Sequence, residues 1–281
     1  MKKLLTAFAI VMLLASCQKE GSFEDPTRTP GSAATANSNR LFRIGSRVGT
    51  DSITTDYSYN SAGRLVAFSQ KGIFNGIFIT ADVRFVRNAA NIITSNVIKS
   101  NALMQFGLDS VEAFHAYDPA NAKYKHSITR ITTLGETETD SVVFVYNAGK
   151  LAAAIDYYDD GTGLGYVPYS KEEYAYNGAN LSEIKLSYFN EATNAYELEQ
   201  TVSYEYDAKP NPTKAPADAV VMGMALFYSA NNYVKSTTVQ ANQPAPTVVT
   251  VAYTYNASNQ PQTATSSSGG AVTSRNSYYY Q

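Results

Sequence analysis

The side chains able to do chemistry are few in kind and scattered in position. Histidines number two, His115 and His126, and Cys17 is the single cysteine. No His-Glu-x-x-His, no Gly-x-Ser-x-Gly and no phosphate-cradling Gly-rich loop with a Lys occurs, so the chemistries that need those spacings have no foothold. Gly161-Thr162-Gly163-Leu164-Gly165 lacks dinucleotide spacing and reads as a hairpin loop. Asp156, Asp159, Asp160 and Gly161 approach a calcium loop, but Tyr158 stands where a ligand belongs and Val167 where the bidentate Glu belongs. His115 occupies an aromatic position of a repeat described below, which packing explains, so no His115–His126 metal pair is expected. Glu172 and Glu173 are adjacent on a strand and face opposite sides, a poor arrangement for two acids acting on one bond. The expectation is no catalytic residue, no metal and no cofactor.

The elements that carry these residues begin with a leader. Lys2 and Lys3 precede an apolar run from Leu4 to Ala15 broken only by Thr6, the charged and apolar regions of a secretory signal. As a helix, about 12 residues span ~18 Å, short of a ~30 Å hydrocarbon core. Leu14-Ala15-Ser16-Cys17 resembles the lipobox of bacterial lipoproteins. That resemblance implies cleavage before Cys17, a diacylglycerol on its sulfur and an acyl chain on its nitrogen; two or more chains anchor stably. The mature chain would then hold no thiol and no disulfide. Gln18-Lys19-Glu20 places no Asp directly after the cysteine, and Glu24-Asp25 loosely resembles the surface-export signal of Bacteroidetes lipoproteins. An outer-membrane lipoprotein on the periplasmic or cell-surface side is expected. Residues 18–40, rich in Gly, Ser, Thr, Pro, Ala and Asn, read as a flexible linker, and residues 41–281 as one β-repeat domain.

Net charge is −2; loss of residues 1–17 removes two lysines and no acid, leaving −4. Charges are scattered without a basic stripe, which disfavours nucleic acid. Tyrosines number 22 and tryptophan is absent; Tyr, Thr and Val favour strands, so the chain is expected to be all-β. A repeat is legible: Tyr57-Ser58-Tyr59-Asn60-Ser61-Ala62-Gly63-Arg64-Leu65 returns as Phe144-Val145-Tyr146-Asn147-Ala148-Gly149-Lys150-Leu151, as Tyr174-Ala175-Tyr176-Asn177-Gly178-Ala179-Asn180-Leu181 and as Tyr253-Thr254-Tyr255-Asn256. Degenerate copies begin at Phe85, His115 and Tyr204. The starts fall 28, 30, 29, 30, 30 and 49 residues apart. Alternate aromatics share one face of a strand, and Asn with Gly closes a tight turn, so each unit is a hairpin. The long interval holds Lys209-Pro210-Asn211-Pro212, where prolines exclude a central strand, and an apolar stretch read as a short helical insertion near 213–226, with Pro216 near its start.

The Tyr-x-Tyr-Asn/Asp-x-x-Gly-x-Leu pattern resembles the YD repeats of RHS and teneurin proteins. From about Leu41 to Gln281 the chain is similar to uncharacterised Bacteroidetes lipoproteins built from such repeats. The resemblance implies an antiparallel meander of ~30-residue hairpins forming an open curved sheet, since about seven hairpins are too few for the closed RHS shell; it brings no catalytic residues. Tyr57, Tyr59, Tyr146, Tyr174, Tyr176, Tyr204, Tyr206, Tyr253 and Tyr255 are expected in register as a ladder, either packed across strands or exposed to a sugar or peptide. Asp51-Ser52-Ile53, Asp109-Ser110-Val111 and Asp140-Ser141-Val142 match a triplet O-glycosylated in Bacteroides-like bacteria, making Ser52, Ser110 and Ser141 candidate sites. The expected function is a non-catalytic envelope lipoprotein, structural or binding a glycan or protein, held to the membrane by its lipid. The alternatives are a carbohydrate-active hydrolase using Asp and Glu, and a subunit of an outer-membrane complex.

Overall fold

Consecutive hairpins run antiparallel around the whole molecule, and the last strand pairs with the first. In the computed structural model the described residues are 40–281 apart from 106, 109, 134–135, 160–164, 216–217, 224 and 244. Among them sixteen strands form one closed barrel in chain order. They are β1 (Leu41–Val48), β2 (Asp51–Tyr59), β3 (Leu65–Phe74), β4 (Ile77–Arg87), β5 (Ile93–Ser100), β6 (Val111–Asp118), β7 (Lys123–Thr133) and β8 (Glu136–Asn147). The second half comprises β9 (Lys150–Asp159), β10 (Val167–Asn177), β11 (Asn180–Asn190), β12 (Ala195–Pro210), β13 (Asn231–Gln240), β14 (Thr247–Tyr255), β15 (Pro261–Ser268) and β16 (Ala271–Tyr280). Two short helices, α1 (Asn101–Met104) and α2 (Ala219–Met222), and a 3-10 turn at Ala225–Tyr228 interrupt the meander.

The open curved sheet expected from the repeat is therefore wrong. Leu41 pairs with Tyr280 and Ile44 with Tyr278, and the Arg40 and Gln281 backbones exchange hydrogen bonds of 3.2 and 3.0 Å. Closure leaves no edge strand to template aggregation. The repeat reading undercounted the hairpins: β1 and β16 lie outside the seven recognised copies, and they supply the seam. The short helical insertion near 213–226 is present as α2 and the 3-10 turn.

Each repeat start falls near the end of an even-numbered strand, so the repeat unit is one hairpin and all of its aromatics collect near one end of the barrel. In the first and last full copies the Asn after Tyr-x-Tyr closes the turn with its side chain. Asn60 Oδ1 accepts from the Arg64 N–H at 2.9 Å, and Asn256 Oδ1 accepts from the Ser258 and Gln260 N–H groups at 2.9 and 3.0 Å. At the opposite end, Asn75 and Gly76 sit at φ 51° and 75°, the paired left-handed conformation of a two-residue hairpin turn.

The two faces of the sheet differ in chemistry. On β4, Ile79, Ala81, Val83 and Phe85 are buried while Asp82, Arg84 and Val86 are exposed, which fixes the inward face. Following the cross-strand register, Phe68, Ile98, Val111 and Tyr124 join the inward side and form one cluster with Val83 and Phe85. The outward face carries charge along its strands: Arg43 pairs with Asp56 at 2.5 Å, Lys171 with Glu173 at 3.1 Å, Lys185 with Glu183 at 3.3 Å and Lys235 with Glu205 at 2.6 Å.

Candidate functional site

Most inward side chains of β3 to β7 are buried, whereas many of those of β8 to β14 keep partial exposure. Val142, Asp156, Glu172, Tyr188, Val202, Tyr204, Ser236 and Tyr253 all face inward, and all keep partial exposure. In a closed sheet that exposure comes from the lumen. A barrel of 16 strands is wider than side chains alone can fill, and here the filled half and the wet half lie side by side.

The wet half carries three carboxylates on consecutive strands. Asp156 of β9 stands opposite Val142 of β8 and Ser170 of β10. Asp140 and Glu172 lie two residues from those partners, the diagonal positions ~7–8 Å apart across a sheet. Burial, with Glu138 nearby, pushes the Asp140 carboxyl up to about 6. Burial, with Asp140 and Glu172 adding repulsion, pushes Asp156 up to about 7. Near neutral pH Asp156 therefore exchanges a proton, a state that suits a hydrogen bond to a hydroxyl or capture of a cation. Glu172 accepts a hydrogen bond from the Tyr174 hydroxyl. Among the described residues no set of three His, Cys, Asp or Glu is arranged to hold a metal.

Aromatics bracket the carboxylates from both ends. Tyr158, Tyr169 and Tyr188 make edge contacts at 5.9 and 5.5 Å. Toward the other end, Tyr204 meets Tyr206 at 6.4 Å and Tyr233 at 6.2 Å, and Tyr253 stacks on Tyr255 at 5.9 Å. All nine tyrosines singled out from the repeat point into the barrel; none stands on an outer platform. Tyr57 packs on Phe68 at 6.3 Å, whereas burial raises Tyr146 and Tyr176 to about 12 on the wetter side. The Tyr176 hydroxyl is buried with no hydrogen-bond partner among the described residues.

The segment from Asn211 to Ala230 crosses the aromatic end of the barrel and caps it. It starts beside β12, yet Asp218 reaches Arg87 on β4, with Nη2 to Oδ2 at 2.8 Å and side chains 4% and 10% exposed. Arg87 also donates to the Leu65 carbonyl at 3.0 and 2.8 Å and to the Asn91 carbonyl at 2.6 Å. Val221 joins the core cluster that holds Tyr124 and Ile93. On the near side, Asn180 Oδ1 accepts from the Ala230 and Asn231 N–H groups at 2.9 and 3.1 Å, and Ser229 donates to the Tyr206 hydroxyl at 2.8 Å.

His115 belongs to the core, where its ring nitrogens lie 2.7 Å from Ser127 Oγ and from Asn96 Oδ1, and burial lowers it to about 4. His126 is one register position away from Ser127, the partner of His115, and so faces outward; the two imidazoles never meet. Glu172 faces the lumen and Glu173 the solvent, as strand alternation requires. Ser52 and Ser141 lie on the outward face, and Ser110 just precedes β6, each partly exposed. Asp160 to Leu164, Cys17 and the linker lie outside the described residues, except for Arg40. Sequence reasoning missed Arg87, Asp218, Asp140 as a partner of Asp156, and the last aromatic pair. Tyr278-Tyr279-Tyr280 repeats the aromatic alternation about 25 residues after Tyr253, a signal that was there to find.

No family profile and no curated protein matches the chain. Solved structures match the fold, two of them over most of their length. A porin-like protein from Bacteroides vulgatus matches with a TM-score of 0.56 and 12% identity over 86% of this chain and 99% of that one. A porin-like protein from Bacteroides uniformis matches with a TM-score of 0.53 and 12% identity over 87% of this chain and 98% of that one. At such identity the likeness is one of fold: this chain is an all-β antiparallel barrel similar in architecture to both.

Proposed function

We propose that the chain is a non-catalytic envelope lipoprotein whose barrel stands in water and binds a small ligand in its tyrosine-lined lumen. The polarity of the two faces is the observation that carries this reading. A barrel in lipid presents an apolar band ~25 Å tall outward and keeps its interior polar. Here ion pairs such as Arg43–Asp56 and Lys235–Glu205 lie on the outward face, while the interior holds the tyrosines of the repeat. The likeness to porin-like proteins is one of fold alone. A lipid on Cys17 and a linker through residue 40 would tether such a barrel to the outer membrane without immersing it, and the outward Ser52 and Ser141 are accessible to O-glycosylation. Tyrosine rings beside carboxylates suit a ligand bearing hydroxyls or an amine, a glycan above all.

Residues 18–281 expressed without detergent should be soluble and monodisperse, and a thermal-shift screen against oligosaccharides and amines should return a stabilising ligand. Saturation at 100 times the dissociation constant adds ~2.7 kcal/mol. Partition into detergent, or ion conductance in planar bilayers, would overturn the reading. A second reading, glycoside hydrolysis, is favoured by one observation: Asp156 at about 7 beside Glu172 pairs a protonated acid with a second carboxylate. Turnover of a bound glycan that Asp156→Asn abolishes would establish it; binding without turnover would remove it.

A further inference from the structure

We infer that the cleft between the capping segment and the β2–β3 turn is a binding site for a small organic anion built on a single ring. A cavity of about 180 Å³ lies there, lined by Tyr57, Tyr59, Arg64, Leu65, Lys214 and Phe227 among others. A cavity of about 150 Å³ takes one benzene, so this one holds one ring with a short substituent. Its floor is apolar, since Leu65 and Phe227 are 9% and 7% exposed. Its rim is cationic. Arg64 and Lys214 stand on the lining, and neither belongs to an ion pair among the described residues. Asp218 also lines the cavity, but its charge is met by Arg87 at 2.8 Å.

A third cation is seated by design of the turn. The Arg40 guanidinium lies 6.0 Å from the Tyr59 ring centroid. Its Nη2 stands 2.3 Å from where a Cβ on Gly63 would be, and Gly63 has φ +74°. The bare backbone of Gly63, itself on the lining, thus leaves room for Arg40 beside the cavity. Tyr57 points to a ligand independently. Its side chain is surrounded by protein and burial pushes its hydroxyl up, yet it keeps partial exposure on the cavity lining. That hydroxyl has no hydrogen-bond partner among the described residues, and it stays in reach of solvent. A carboxylate or ring hydroxyl in the cavity would accept from it. The lumen is acidic where this cleft is basic, so the two concavities select ligands of opposite sign.

The test titrates the full chain by calorimetry with benzoate and with glucuronate, which separate an aromatic from a sugar ring, and with benzyl alcohol and glucose as neutral counterparts. The expected result is saturable binding of at least one anion, at least tenfold tighter than its neutral counterpart. The Arg64→Gln/Lys214→Gln double variant should weaken that binding tenfold or more while its circular-dichroism melt stays unchanged. Should the double variant melt early, Arg40→Gln carries the same expectation. Absence of saturation by both anions at about 10 mM, tenfold above a millimolar dissociation constant, overturns the proposal. So does equal binding of the neutral counterparts, or affinity unmoved by removing the cations.

Discussion

Replacing Arg87 with methionine removes the cation that holds the cap to the far wall of the barrel. Asp218 would remain, 10% exposed, together with the Leu65 and Asn91 carbonyls that Arg87 now serves. Taking one partner from a buried ion pair costs about 3–5 kcal/mol, because the other charge stays behind. For a domain of this size each kcal/mol moves Tm by ~2–4 °C, so the variant should melt roughly 6–20 °C early in a far-ultraviolet circular-dichroism scan at pH 7. Arg87→Met/Asp218→Leu, which removes both charges and refills the space, should recover most of the loss. A Tm within ~2 °C of the parent for the single variant, or a double variant as unstable as the single, would refute the view that this pair pins the cap.

Asp140 and Asp156, raised to about 6 and about 7, bind protons more tightly folded than unfolded, so they add stability as pH falls from 8 toward 5; the melting curve of Asp156→Asn should be flatter over that window than the parent's. His115, lowered to about 4, acts with the opposite sign: its contribution is complete above the unfolded value near 6.5 and is lost as pH falls toward 4. His115→Gln should therefore lose less stability than the parent between pH 6 and 4 in acid titrations. Tyr176→Phe deletes a buried hydroxyl that has no partner among the described residues and should leave the chain as stable or more stable, by up to ~1 kcal/mol in urea melts; a loss above that amount would reveal a hidden acceptor. If Ser52 and Ser141 are glycosylated, the intact mass of the native protein exceeds that of polypeptide plus lipid; an unmodified mass removes the idea.

The hairpins were legible because their turn chemistry is local. Tyr-x-Tyr-Asn carries the strand alternation and, within a few residues, the Asn and Gly that form the turn, so the period could be read without knowing what the strand touches. Closure was not legible. Whether hairpins curl into a barrel is decided by register across β1 and β16, more than two hundred residues apart, where the repeat is weakest. The side of the sheet on which the tyrosines lie follows from that closure and was equally hidden. Arg87 shows the limit most clearly. It stands where other copies carry the second tyrosine, so the repeat registers it as decay. Only the fold brings the capping segment across from β12 and gives this departure from the pattern its partner, Asp218.

Tyrosine in place of phenylalanine or tryptophan follows from the size of the barrel. Eight strands enclose a space that side chains fill, and 16 leave one that they do not. A wide barrel in lipid can leave the interior wet because its apolar face is outside. A wide barrel in water must bury apolar surface inside while part of that inside stays hydrated. The chain meets both demands by dividing its circumference. Around β3 to β7, Phe68, Val83, Phe85, Ile98 and Val111 make a dry core, to which the cap adds Val221 from the far side. Around β8 to β14 that volume is left open, and its walls must be apolar in body yet stable against water at the tip. Tyrosine satisfies both, whereas phenylalanine would leave a dewetted cavity. For a barrel standing in water, as proposed, the lumen follows from the number of strands, and the three carboxylates diagonal across β8, β9 and β10 are what structural necessity does not explain. Burial raises Asp140 and Asp156 at a cost in stability, and nothing in the packing of the sheet requires acids there. Their placement is the feature that makes the lumen a site, and substitution of Asp140 or Asp156 by its amide should raise stability near pH 7 while weakening whatever the lumen binds.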